Sequence, residues 1–211
     1  CSKQTVRPHH ILEVMNSIDL NRLNRQAVLY IYNNTYIEQS WSSDGISQII
    51  PIGIDVNKFK SESSIGIALD NNTVSQVGAV LSAHVNNVLP IYPTDHDNTT
   101  ITVNTTRYFI NTRKNITIKT LEAMAAENVV ICLNSPDTAS YITHQKTGWL
   151  LNELNELPNV LASLEQDNEL RTTIGKQARQ KIVSEHSLEK FVSQWLIVLD
   201  TVRAAVYHPM T

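Results

Sequence analysis

Apolar positions recur along this chain in two rhythms. Short apolar runs of strand length appear at Ala27–Tyr32 (AVLYIY), Ser47–Gly53 (SQIIPIG), Ser64–Leu69 (SIGIAL), Asn87–Pro93 (NVLPIYP) and Val129–Asn134 (VVICLN). Between them lie stretches whose apolar residues return every three or four positions, such as Val74, Val77, Leu81 and Val85. Buried strands alternating with amphipathic helices predict an α/β fold: a mainly parallel sheet flanked by helices. The segment from Ile11 reads as a helix, with Ile11, Val14, Met15 and Ile18 on one stripe. Thr99–Asn104 (TTITVN) and Arg107–Asn111 (RYFIN) read as short strands. From Leu157 onward the chain is helical, with Asp167 and Ser187 placed to cap two long helices. Phe191, Trp195, Leu199 and Val202 give the last of these a stripe read as core packing.

Composition narrows the functional classes. With 211 residues, 42% of them hydrophobic, the chain can bury a sizeable core. A net charge of −3 gives no global field for nucleic acid, so any anion site has to be local. No apolar run approaches the roughly 20 residues of a membrane span. Two cysteines, Cys1 and Cys132, make no disulfide framework, and a cytoplasmic setting is the expectation. Five N-x-S/T triplets, at Asn33, Asn71, Asn98, Asn104 and Asn115, are what this Asn- and Thr-rich composition yields by chance, and glycosylation is not expected. His9-His10 lacks a spaced third ligand, so no metal site is expected; His144 and His186 are expected to be exposed, and Cys132 to act as a small hydrophobe. Neither a G-x-G-x-x-G nor a P-loop occurs.

The stretch TIKTLEAMAAENVVICLN, Thr117 to Asn134, concentrates the chemistry. Thr117 can cap a helix from Ile118 to Glu127 whose stripe of Ile118, Leu121, Met124 and Ala125 faces the sheet. Its amino end presents unpaired amides and a partial positive charge to the loop TRKNIT, a setting that suits a diphosphate. Arg113, Lys114 and Lys119, with Arg107 upstream, add cationic side chains. Glu122 leaves the buried stripe, and is either a solvated carboxylate or an acceptor for two neighbouring hydroxyls.

Three blocks in order, TLEAMAAENVVIC, SYITHQKTGWLL and the long run from Leu161 to Trp195, with IIPIGIDVNKF upstream, carry a family likeness. The chain resembles the C-terminal, nucleotide-sugar-binding domain of GT-B glycosyltransferases of the group 1, family-4 type. The resemblance implies a Rossmann-like donor domain over residues 49–211, preceded by residues 1–48 as a helix/strand remnant of, or link from, an acceptor domain. It implies a UDP- or GDP-sugar as donor substrate with no other cofactor, hexosyl or other glycosyl transfer, and a place in glycan biosynthesis. It also implies an acceptor-domain partner chain or a homo-oligomer, and the last helix as the element that packs back toward the acceptor domain. Donor contacts carried over by position are Gly53, Arg113, Asn115, Ile116, Thr117, Ile118, Lys119 and Glu122, with Glu122 on the ribose. The family's pair of glutamates has seven residues between its members. Counting back from Glu122, the first falls on Lys114, and the E-G-F-G loop is replaced by KNIT. A lysine cannot buttress a developing cation as a carboxylate does, so the resemblance leaves two readings: a transferase, or a non-catalytic module of the same fold.

Overall fold

A computed structural model of the chain describes residues 11–14, 29–40, 46–60, 66–70, 74–82, 91–94 and 99–207. It forms two compact units. The first combines Cys1–Gly53 with Glu189–Thr211, and the second is the continuous stretch Ile54–Leu188. The expected division put everything from residue 49 in one domain; in this grouping the last helix belongs with the first segment.

In the first unit, strands β1 (Ile11–Val14), β2 (Leu29–Tyr32) and β3 (Ile46–Ile49) form a parallel sheet in the order β1-β2-β3. Ile11–Val14 is therefore a strand and not the start of the expected helix, since it pairs in parallel with Leu29–Tyr32; residues 15–24 of that reading lie outside the described residues. Helix α1 (Thr35–Ser40) follows β2, with the Ile37 amide donating to Asn34 Oδ1 at 2.7 Å.

The second unit holds a five-stranded, all-parallel sheet in the order β5-β4-β6-β7-β8: β4 (Ile67–Asp70), β5 (Ile91–Thr94), β6 (Tyr108–Asn111), β7 (Val129–Leu133) and β8 (Trp149–Leu151). Its helices are α2 (Val74–Ser82), α3 (Thr99–Asn104), α4 (Ile118–Ala125), α5 (Pro136–Tyr141), α6 (Leu157–Gln166) and α7 (Asn168–Glu185). The final helix, α8 (Leu188–Tyr207), lies almost wholly in the first unit. There Phe191, Trp195 and Val198 pack with Leu29, Ile31 and Ile50.

Alternation along the strands of the second unit sorts the core by face. Ile67, Leu69, Tyr108, Ile110, Val129, Ile131 and Leu151 pack with Val77 and Leu81 of α2 and with Leu157, Val160, Leu161 and Leu164 of α6. The opposite face, with Ala68, Phe109, Val130 and Cys132, carries α4, which packs against α3, α7 and β7. Helix α3 corrects the reading of TTITVN as a strand. Thr99, Thr102 and Val103 are buried at helical spacing while Ile101 is exposed, so packing overrides the β-branched composition.

Helix α4 ends in a Schellman motif: Asn128 N–H donates to the Ala123 carbonyl at 3.0 Å and Glu127 N–H to Met124 at 3.1 Å, with Glu127 at φ 64°. Arg179 of α7 closes this corner. Its guanidinium donates to the carbonyls of Phe59, at 2.8 Å, and Ala125, and sits 3.9 Å from the Glu127 carboxylate.

Candidate functional site

In the second unit β4 and β6 are neighbours, yet the helices that follow them leave to opposite faces of the sheet. Such a divergence opens a crevice at the carboxyl ends of the strands, the place where open α/β sheets bind ligands. Asp70 and Asn111 end the two strands, and the loop from Asn111 to Thr117 delivers the chain to the amino end of α4.

Asn111 organises that loop. Buried at the end of an otherwise apolar strand, it accepts the Arg113 amide on Oδ1 at 2.9 Å and donates from Nδ2 to the Asn115 carbonyl at 2.8 Å and to Thr120 Oγ1 at 3.3 Å. Thr117 caps α4 as the sequence predicts, its Oγ1 taking the Thr120 amide at 3.2 Å. Two bonds tie the loop to the corner between β7 and α5: Ser135 Oγ donates to the Lys114 carbonyl at 2.9 Å, and the Ile116 amide donates to Asp137 Oδ2 at 2.8 Å. Asn111, Ser135 and Asp137 did not stand out in the sequence. The last two carried a signal, since Ser135-Pro136 is an N-cap followed by proline at the first helical position, and Ser135 closes a capping box with Thr138.

The residues named for donor contact, and Lys114 beside them, are not all brought together. Arg113, Lys114 and Asn115 are exposed on the loop. Ile116, Thr117, Lys119 and Glu122 are half-buried around the start of α4. Lys119 reaches across to β5, where Nζ donates to the Thr94 carbonyl at 3.0 Å, while Thr94 Oγ1 bonds the Leu69 carbonyl at 3.0 Å. The charge of Lys119 is thereby fixed at the carboxyl ends of β4 and β5. Ile118, expected to face the sheet, is 50% exposed, and the buried side of α4 is made by Thr120, Leu121, Ala123, Met124 and Ala125. Gly53 belongs to the first unit; a Cβ there would lie 2.6 Å from that of Phe191, so its lack of a side chain serves the packing of α8.

Arg107 departs from expectation. It precedes β6, at the opposite end of the strand from the TRKNIT loop, and pairs with Glu165 of α6 at 3.4 Å. Glu165 also takes the Tyr108 hydroxyl at 2.6 Å and Arg171 at 3.2 Å. This cluster fastens α6 to the sheet and adds no positive charge at the α4 end.

Other candidates resolve as structure. His186, expected exposed, is buried and stacked on Tyr141 with ring centroids 5.5 Å apart. His144 is exposed; Nδ1 accepts the Leu150 amide at 3.1 Å, and the ring meets Trp149 edge-on. Cys132 is fully buried, and burial pushes its thiol pKa up, so it stays protonated and inert. Asn33 is buried, and Asn104 bonds the Lys60 amide and the Lys58 carbonyl, uses that fit neither as a glycosylation acceptor. His9-His10, Asn71 and Asn98 lie outside the described residues, among which no group of three metal-ligating side chains occurs. No described helix is long and apolar enough to cross a membrane.

Comparison with known proteins follows the same geometry. Residues 92–197 match the family described as glycosyl transferase-like. Among solved structures the chain is similar to HepE of Anabaena in complex with UDP, with a TM-score of 0.74 and 12% identity over 90% of this chain and 72% of that one. It is similar to sucrose-phosphate synthase from Thermosynechococcus elongatus, with a TM-score of 0.71 and 16% identity over 86% of this chain and 60% of that one. A third likeness is to the C-terminal domain of a glycosyl transferase group 1 family protein (LpcC) from Francisella tularensis, with a TM-score of 0.51 and 13% identity over 64% of this chain and 100% of that one. The chain thus spans less than two thirds of the synthase. No curated protein matches it by sequence.

Proposed function

Because the chain belongs to the glycosyl transferase-like family, we propose that it binds a nucleotide-diphosphate sugar at the start of α4 and transfers the sugar, or helps to transfer it, to an acceptor held by another segment or subunit. The observation that carries this reading is the capped amino end of α4, set beside the divergence of β4 and β6, with Arg113, Lys114 and Lys119 around it. Helix-start amides and cations together suit a diphosphate. HepE, a neighbour in fold, was solved with UDP and with UDP-glucose.

Each residue has a role in this reading. Arg113 and Lys114 offset the diphosphate charge, and Lys119 contributes a fixed positive charge from its seat on Thr94. Glu122, half-buried on the first turns of α4, accepts the ribose hydroxyls. In transfer, the bond from the sugar's anomeric carbon to the diphosphate oxygen breaks, a bond from that carbon to an acceptor hydroxyl oxygen forms, and the hydroxyl's proton is taken up by the departing diphosphate. The nucleoside diphosphate leaves with the electron pair, and these cations stabilise the charge that develops there. Such a step serves glycan assembly, and its natural donors are UDP- or GDP-sugars.

Lys114 favours a second reading, a binding or assembly module without transferase activity. It supplies no carboxylate beside the reacting carbon, and Asp137 already occupies the Ile116 amide, one of the donors that would otherwise face the diphosphate. Calorimetric titration with UDP, GDP and their sugars, run beside a donor-hydrolysis assay, tests both. Binding that Glu122→Ala weakens by about tenfold or more, and that Lys114→Glu also weakens, supports the site. Binding without turnover selects the module. If neither nucleotide binds, the proposal is wrong.

A further inference from the structure

Helix α8 carries apolar residues on two adjoining faces, and among the described residues one of them packs within its own unit. Phe191, Trp195 and Val198 face the core with Ile31 and Ile50. Beside that face Val192, Leu196 and Leu199 are exposed to 46%, 56% and 51%; Ile197, exposed to 62%, stands apart from them, further round the helix. The expected stripe of Phe191, Trp195, Leu199 and Val202 is therefore split: Leu199 joins the outward set. Glu189 and Arg203, both exposed, extend that set to Glu189, Val192, Leu196, Leu199 and Arg203, with intervals of 3, 4, 3 and 4. At 100° per residue these five fall within an arc of about 80°, the width of a coiled-coil seam, with Ile197 about 80° outside it.

The seam is palindromic in chemistry. Leu196 stands at its centre, with Val192 and Leu199 on either side, an acid at the amino end and a base at the carboxyl end. We propose that this face of α8 pairs with the same face of a second copy of the chain, antiparallel about a two-fold axis through Leu196. In that arrangement Leu196 meets Leu196, Val192 meets Leu199, and Glu189 of each copy meets Arg203 of the other. A parallel arrangement would instead set Glu189 against Glu189 and Arg203 against Arg203. Charge therefore selects the antiparallel, isologous pairing, in which every contact off the axis is made twice. The acid also lies in the first turn of the helix, where the helix dipole favours it.

The seam is about 21 Å long at 1.5 Å per residue, so the contact belongs with small interfaces and the dimer forms in the micromolar range. Sedimentation velocity of the whole chain across a micromolar concentration series reads this directly. The expected result is a reversible monomer–dimer equilibrium that weakens with salt. Leu196→Glu, an exposed position, raises the dissociation constant by about a hundredfold. Glu189→Arg or Arg203→Glu alone raises it by about tenfold, and the double reversal Glu189→Arg/Arg203→Glu restores it. Should L196E lose its far-UV helical signal, the charge-reversal set, confined to exposed positions, decides alone. A chain that stays monomeric throughout the series, whatever else it captures, overturns the proposal. So does a dimer that none of these substitutions weakens, or one that the double reversal fails to restore.

Discussion

Tyr108 shows how one side chain can set a pH dependence far from the candidate site. Burial, first, and then its hydrogen bond to Glu165 hold the phenol pKa above its usual value. A group whose folded pKa is raised contributes stability that is complete below its unfolded pKa and is lost as pH climbs toward the folded one. Buried Cys132 acts with the same sign. Stability should therefore hold through neutral pH and decline above about pH 9 to 10. Tyr108→Phe removes one hydrogen bond to a charged acceptor, worth about 1.5–3 kcal/mol near neutrality. Because the variant has no proton to lose there, the stability gap to the parent should narrow as pH rises past about 10. Urea unfolding of both proteins at neutral and at alkaline pH checks this, and a gap that widens would contradict the assignment.

Among the elements, the α4–α7 contact is the tightest packing the glycines reveal. A Cβ built on Gly175 would meet the Glu127 carbonyl oxygen at 2.2 Å, so Gly175→Ala must push α7 away from the end of α4. The opposing atom is backbone, and the expected loss is about 1–3 kcal/mol by thermal or urea unfolding. An unchanged midpoint would mean that the two helices sit further apart. Elements with a clear period were legible from sequence: β2, β4, β6, β7, the capped start of α4, and α7 with Asp167 at its cap. Two short ones misled for opposite reasons. TTITVN is β-branched up to its final Asn104, but its buried positions fall at i, i+3 and i+4, which six residues cannot distinguish from a strand. Ile11–Val14 has helical spacing and becomes a strand because a parallel neighbour pairs with it, a non-local fact. At the site, Thr117 announced itself as a cap, whereas Asn111 did not, because its three hydrogen bonds arise only after the loop has folded back on it. Arg107 lies close in sequence to the cationic loop and is parted from it by the length of β6, about 13 Å of extended chain.

For the whole molecule, the division into units makes a prediction of its own. Ile54–Leu188 is continuous and owns a core shared by its sheet, α2, α6 and α7. Expressed alone, that fragment should unfold in a single cooperative step. The first 53 residues alone should not, because Phe191, Trp195 and Val198, the partners of Ile31 and Ile50, are absent from them. Circular dichroism across a denaturant series distinguishes the two behaviours; a gradual, non-cooperative loss of signal from 54–188 would refute the autonomy of the second unit.

That discontinuity also fixes an order of events on the ribosome. Ile31 and Ile50 emerge well before α8, the helix that covers them, and must wait while everything through Leu188 is translated. The later-made body can be finished while the earlier one is still open, so nascent chains stalled before Phe191 are the ones most exposed to chaperones and aggregation.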